Sequence, residues 1–138
     1  MANVARMVRS NDSRNVLVVE QDEGIVRTVS ARLRSRFRVT VASSARAARE
    51  LATTYEFPIV LVGARLDDHG SLELAAWLKH RDPGTFVALV GEVEDPEELV
   101  TASSLDIQIA DWQEIGEAND FLVALAARPR AKRISGAG

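Results

Sequence analysis

Short apolar runs alternate with amphipathic segments along most of this chain. Residues 16–19 and 59–63 form β-branched or aliphatic runs with polar neighbours, which is typical of strands buried on both faces. Residues 86–90 form a similar run, and weaker alternation at residues 39–41 and 106–110 predicts two further strands. The pattern therefore predicts five strands.

Between these runs, apolar residues recur three or four positions apart, which predicts helices. Ile25, Val29 and Leu33 recur four apart, in a helix expected to end near Phe37, and Ser44 is a candidate N-cap for the next helix. The remaining helices are marked by Leu74, Ala75 and Leu78 before Pro83, by the segment from Pro96 to Thr101, and by Phe121, Leu122 and Leu125 before Pro129.

Five strands that alternate with five helices predict an α/β fold, a doubly wound five-stranded parallel sheet covered by helices on both faces. We expect this domain to span residues 15–128, after a loose leader of residues 1–14 and before a basic, glycine-containing tail of residues 129–138. Functional residues in such a sheet collect at the carboxyl ends of the strands.

Composition narrows the possible functions. Hydrophobic residues make up 46% and charged residues 27%, as in ordinary soluble domains. The net charge of −3 is small, so it does not indicate nucleic acid or a membrane surface as a binding partner. Cysteine is absent, which excludes disulfides and thiolate ligands, and the two histidines lie in different contexts, so we expect no metal and no cofactor. No apolar run approaches the ~20 residues that span a bilayer, and we expect a cytoplasmic protein.

Arginines mark the outer face of the first predicted helix. Arg27, Arg32, Arg34 and Arg36 lie between its apolar positions. A solvated face is the simpler interpretation of this pattern, and a binding stripe is the alternative.

Three segments resemble the receiver domains of bacterial two-component response regulators, a flavodoxin-like (βα)5 family. Residues 16–25 are similar to the family's first strand and acidic turn, and residues 38–45 to its second strand and helix start. Residues 63–73 resemble the phosphoacceptor loop, which normally opens with aspartate and closes with Gly-Leu-Glu.

The resemblance implies where the phosphorylation chemistry would lie, and there the residues differ from the family. Gly63 stands at the phosphoacceptor aspartate, and Glu20 and Gln21 stand at the acidic pair that binds Mg²⁺. Val90 replaces the hydroxyl residue and Ala110 replaces the lysine. Because glycine offers no carboxylate, we expect a degenerate pocket without catalytic residues.

Two alternatives remain open at this pocket. Asp67 could be the acceptor if the third strand ended four residues later, which would leave a short loop before the next helix. A residual cation site could form from Glu20, Asp22 and Asp68.

The resemblance also implies an interaction surface on the fourth helix, fifth strand and fifth helix. It would comprise Glu97, Glu98, Val100, Asp106, Gln108 and Trp112. Trp112 fits an interface anchor and equally a side chain that fills the empty pocket. Trp77 lies beside an apolar helix stripe, which favours packing.

These observations favour a non-enzymatic module, a pseudo-receiver whose partners are proteins, including a second copy of itself in a homodimer. The alternative is the N-terminal regulatory domain of a DNA-binding transcriptional regulator, because Arg128, Arg130, Lys132 and Arg133 follow the last helix. We expect no nucleic-acid binding by this domain alone. A third hypothesis, a flavodoxin-like nucleotide or flavin binder, conflicts with the acidic turn at residues 20–23, which would repel anions.

Overall fold

The structure is a computed structural model that describes residues 14–117 and 122–123. Five strands alternate with helices along the chain, as the apolar pattern predicts. They are β1 (Asn15–Val19), α1 (Glu23–Leu33), β2 (Arg38–Ala42), α2 (Ala45–Thr54), β3 (Ile59–Gly63), α3 (Ser71–Arg81), β4 (Phe86–Val90), α4 (Pro96–Ser104), β5 (Gln108–Ala110) and α5 (Trp112–Glu117).

All five strands are parallel, in the order β2-β1-β3-β4-β5. The chain steps from β1 outward to β2 and then crosses to β3 on the other side of β1. The strand order therefore reverses between β1 and β3, and the carboxyl ends of these two strands are where a parallel sheet of this kind usually places its functional site.

The sheet divides the core into two layers, because successive side chains of a strand point to opposite faces. Leu17, Val60 and Leu89 face α2, α3 and α4, whereas Val18 and Leu61 face α1 and α5. The three central strands are buried on both faces, which explains why their sequences are continuous apolar runs.

Helix starts follow local capping chemistry. The Asp22 carboxylate accepts from the Ile25 N–H at the start of α1, and the Ser44 hydroxyl accepts from the Ala47 N–H at the start of α2. The prediction of Ser44 as an N-cap is therefore confirmed. Asp95 caps α4 in the same way, with proline in the first turn.

Four predicted boundaries differ from the structure. The helix expected to end near Phe37 ends at Leu33, and Phe37 is buried beyond it, with its N–H donating to the Leu33 carbonyl. The fourth helix continues past Thr101 to Ser104. The strand expected from Asp106 is shortened to Gln108–Ala110, because Asp106 adopts φ 61° and the Ile107 N–H donates to the Ala102 carbonyl to close α4.

The second strand is also longer than the pattern predicted, because it pairs with β1 over five residues. In the predicted last helix, Leu122 is fully buried, whereas Phe121 and Leu125 lie outside the described residues. The leader before Arg14 and the basic tail of residues 129–138 also lie outside them.

No helix in the described part of the chain is long and apolar enough to cross a bilayer.

Candidate functional site

Strand register brings the residues of the expected pocket to one edge of the sheet. Gly63 pairs with Val90, and Val90 pairs with Ala110, so these three residues lie side by side at the carboxyl ends of β3, β4 and β5. Val19 pairs with Val62, which places Glu20 at the level of Gly63 across the strand reversal. The structure thus gathers Glu20, Gly63, Val90 and Ala110.

The Glu20 side chain occupies the space beside Gly63. A β-carbon built on Gly63 would overlap Glu20 Oε1 and would lie 3.1 Å from the carbonyl oxygen of Val19. Glu20 is only 6% exposed, and its Oε2 accepts from the Asp22 N–H at 3.0 Å. The carboxylate is therefore held where a side chain at position 63 would begin.

The Gln21 side chain forms hydrogen bonds to the backbone of the loop between β3 and α3. Its Nε2 donates to the Arg65 carbonyl at 3.0 Å, and its Oε1 accepts from the Asp67 N–H at 3.2 Å. A carboxylate of the same shape can accept but cannot donate to a carbonyl. The amide is thus the side chain that satisfies both loop groups.

Ser71 holds the same loop from its other end. Its buried hydroxyl donates to the Gly63 carbonyl at 2.6 Å and accepts from the Leu66 N–H at 3.4 Å. His69, between them, adopts a left-handed φ of 56°. Side-chain hydrogen bonds from Gln21 and Ser71 therefore hold backbone groups along the loop from Gly63 to Asp67.

The three carboxylates of the possible cation site serve separate backbone groups. Glu20 accepts from Asp22, Asp22 caps α1, and Asp68 accepts from the N–H groups of Ala45 and Arg46 at 3.4 and 3.2 Å. Within residues 14–117 and 122–123, no three histidine, aspartate or glutamate side chains gather in a group that could hold a metal. The structure does not bring Glu20, Asp22 and Asp68 together as ligands.

The late-strand alternative for Asp67 is wrong. β3 ends at Gly63, and Asp67 is exposed within the loop that follows. Its backbone N–H is held by Gln21, and α3 begins four residues later at Ser71. Asp67 is therefore a loop residue and not the end of a strand.

Apolar side chains line the remaining positions of the pocket. Val90 is 1% exposed and Ala110 is partly buried, so neither offers a polar atom at the sheet edge beyond its backbone. At the rim, Arg65 pairs with Glu92 at 3.4 Å and with Glu94 at 3.3 Å. These three side chains are well exposed, so each pair contributes little to stability.

The predicted interaction surface is largely exposed. Glu97, Glu98, Asp106 and Gln108 face solvent, and Val100 is 69% exposed. Trp112 differs, because it is only partly exposed and packs against the core layer under α1 and α5. Sequence reasoning missed three exposed apolar side chains on this surface, Leu99, Leu105 and Ile109. Apolar residues at helical or strand spacing were expected to be buried, so the pattern gave no signal for them.

Trp77 packs as the sequence predicted, beside the Leu74 and Leu78 layer. Two guanidinium groups lie over its ring, that of Arg49 at 4.8 Å and that of Arg81 at 4.7 Å from the ring centroid. This stack joins α2 to α3 through cation–π contacts.

Several solved structures share this architecture. The non-phosphorylated HemR receiver domain from Leptospira biflexa is similar with a TM-score of 0.71 and 22% identity, over 84% of this chain and 96% of that one. A CheY-like receiver domain protein from Methanospirillum hungatei JF-1 gives 0.68 and 18%, over 80% and 97%. The beryllofluoride-activated NtrC4 receiver domain dimer gives 0.70 and 17%, over 83% and 99%.

No protein-family model and no curated protein sequence matches the chain. The structural matches nevertheless define its architecture, an α/β protein with a single doubly wound parallel sheet. Its fold is that of the CheY-like response-regulator receiver domains, as the resemblance of the sequence implied.

Proposed function

We propose that this chain is a non-enzymatic signal-transduction module, a receiver-like domain that acts through protein–protein contacts independent of phosphorylation. The observation that carries the proposal is at Gly63. This residue ends β3 in register with Val90 and Ala110, and the Glu20 carboxylate fills the space where its side chain would begin.

The chemistry of phosphoryl transfer supports the proposal. The reaction needs a nucleophile, a divalent cation and groups that stabilise charge on the phosphoryl oxygens. Gly63 supplies no carboxylate, and the Gln21 amide is engaged by loop backbone groups. The side chains of Val90 and Ala110 can form no hydrogen bond to a phosphoryl oxygen. Glu20 remains as a carboxylate that would repel an incoming phosphate.

The exposed face of α4, β5 and the start of α5 supports the proposal that the domain acts through protein–protein contacts. Leu99, Val100, Leu105 and Ile109 are exposed there, among carboxylates that include Glu97 and Glu98. An apolar centre with a polar rim is the usual anatomy of a protein interface. Among the similar structures, the NtrC4 receiver domain forms a dimer in its beryllofluoride-activated state. In the present chain this surface would bind a protein without activation.

An amide NMR titration tests the independence from phosphate. Mg²⁺ and beryllofluoride, which mimics a carboxylate-bound phosphoryl group, are added to the uniformly labelled protein. We expect the amide signals of Glu20, Gly63 and Ala64 to remain in place, because there is no carboxylate for beryllium to bind. A receiver domain that has the acceptor aspartate serves as the positive control. Saturable shifts at these residues would refute the proposal.

A further inference from the structure

A groove lies between α3 and α4, beside the carboxyl ends of β3 and β4. Its volume is about 690 Å³, within the range usual for binding sites in proteins. The loop from Ala64 to Asp67 and the first turn of α3 line one side, and the loop after β4 and Glu98 of α4 line the other. Neither Glu20 nor Gly63 lines it, so this groove is separate from the pocket at Gly63.

The floor of the groove is apolar. Leu66 and Leu89 are buried there, and Leu72 and Val93 are partly buried against the core layer beneath α2, α3 and α4. Leu72 and Val93 therefore keep some contact with water. An apolar side chain that covered them would remove this contact, which is favourable.

The residues of α4 explain why the groove is open. Within this helix, which the structure describes throughout, Ala102 is the only buried residue. Leu99 and Val100 are exposed and do not line the groove. The α4 residue that lines it is Glu98. The helix therefore contributes a carboxylate where a large apolar side chain would close the gap.

Carboxylates predominate at the rim of the groove. Asp67, Glu73 and Glu98 are exposed there, and they enter no ion pair within the part of the chain that the structure describes. Arg65 is the only lysine or arginine in the lining, and its guanidinium already pairs with two glutamates of the loop after β4. The rim therefore carries an excess of negative charge, which attracts cations and repels anions.

We propose that this groove binds a segment of a partner protein in which an apolar side chain is flanked by lysine or arginine. The apolar side chain covers Leu72 and Val93, and the cationic groups pair with the carboxylates at the rim. This inference rests on the proposed function, because it names a partner chemistry for a domain that acts through protein contacts. It places that partner outside the exposed apolar side chains of α4 and β5.

The exposure of the rim favours a protein segment over a small molecule. Because Asp67, Glu73 and Glu98 face solvent, an occupant that pairs with them remains open to solvent on one side. Sites for small molecules bury most of the surface of their ligand. A peptide segment, in contrast, places a few anchor side chains in a groove while the rest of its protein stays outside.

An amide NMR titration tests where the segment binds. The probe is a synthetic amphipathic peptide with leucine on one face and lysine on the other, added to the uniformly labelled protein without Mg²⁺ or a phosphoryl donor. We expect saturable shifts at Leu66, Leu72 and Val93. Signals of Val29 and Ile115, in the core layer on the opposite face of the sheet, should stay in place. Saturable shifts confined to residues outside the groove would overturn the proposal.

Two charge-reversed variants separate the groove from general charge attraction. Glu73→Lys with Glu98→Lys reverses two rim carboxylates. The control, Glu23→Lys with Glu117→Lys, has the same net charge and reverses two exposed carboxylates of α1 and α5, on the opposite face of the sheet. By fluorescence anisotropy, we expect the dissociation constant of the peptide to rise at least about tenfold in the groove variant and less than about threefold in the control. Equal losses would overturn the proposal. Circular dichroism confirms that both variants fold.

Val93→Ser tests the apolar floor, because it removes apolar contact and leaves the charge unchanged. We expect the dissociation constant of the peptide to rise at least about threefold. An unchanged constant would mean that the contact is one of charge alone and would contradict the proposal.

Other occupants give different results in the same assay. A peptide with glutamate in place of lysine, or benzamidine as a small aromatic cation, would bind at least as tightly if the groove served an anionic segment or a small molecule. A second copy of the chain would give self-association without peptide that the Glu73→Lys, Glu98→Lys variant loses. Each of these results would overturn the proposal.

The outcomes also separate this inference from the proposed function. If the peptide causes no shift with or without acetyl phosphate and Mg²⁺, the groove is not a binding site, and a phosphorylation-independent module still stands. If the peptide binds the groove only after acetyl phosphate and Mg²⁺ are added, this inference stands and the proposed function fails.

Discussion

At the end of the sheet, the Glu20 carboxylate occupies the space that a side chain at position 63 would need. Glu20 is buried, with one carboxylate oxygen on the Asp22 N–H and the other against the hydrogen-bearing α-carbon of Gly63. The absence of a β-carbon at position 63 thus makes room for the Glu20 carboxylate. A side chain restored at this position must displace Glu20 before it can do chemistry.

Substitution of Gly63 by alanine tests this arrangement. Gly63 lies in a strand without positive φ, so alanine suits the backbone and any cost must come from crowding. We expect Gly63→Ala to lower the free energy of unfolding by about 1–3 kcal/mol. In a Glu20→Ala background the same substitution should cost at least about 0.5 kcal/mol less, because only the Val19 carbonyl remains close. Urea denaturation of the four proteins gives the coupling, and equal costs in both backgrounds would contradict it.

The sequence predicted which residues occupy the pocket, but it did not predict the hydrogen bonds and packing contacts that these residues make. Alignment with the receiver pattern identified Glu20, Gln21, Gly63, Val90 and Ala110, and strand register brings four of them to one edge. The resemblance marks Gln21 only as a lost metal ligand, whereas in the structure its amide forms hydrogen bonds to the backbone of Arg65 and Asp67. Side-chain direction depends on neighbours distant in the chain, which periodicity does not report.

The sequence predicted secondary structure correctly where a strand is buried on both faces or where a helix begins with an N-cap residue. β1, β3 and β4 follow from continuous apolar runs, and α2 begins where Ser44 predicts it. The boundaries failed where a tertiary contact decides them. Phe37 continues the apolar spacing of α1 but packs beyond its end, and Ile107 closes α4 before β5 can begin.

Asp68 illustrates how one element stabilises another. Its carboxylate accepts from two N–H groups at the start of α2, so it acts as an additional N-terminal cap supplied by the β3–α3 loop. We expect Asp68→Ala to lower the free energy of unfolding by about 1 kcal/mol. Thermal and urea denaturation give the measurement.

Asp67→Ala is the matched control, because it removes an exposed carboxylate from the adjacent position. We expect its effect to stay within about 0.5 kcal/mol. If instead Mg²⁺ stabilised the unaltered protein and this gain vanished in Asp68→Ala, Asp68 would be a cation ligand and its capping role would be secondary.

At the scale of the whole molecule, charge is distributed unevenly along the chain. Seven arginines and no carboxylate lie from Arg27 to Arg49, and nine carboxylates and no lysine or arginine lie from Glu92 to Glu117. The helices of these two segments lie against each other, because Arg32 of α1 comes close to Gly116 of α5. The net charge of −3 averages over this distribution and therefore does not report it.

Mass spectrometry of the intact protein after incubation with acetyl phosphate and Mg²⁺ tests the central claim most directly. We predict an unchanged mass, because the residue that ends β3 has no side chain to carry a phosphoryl group. A hydroxylamine-sensitive gain of about 80 Da, one phosphoryl group on a carboxylate, would contradict the account.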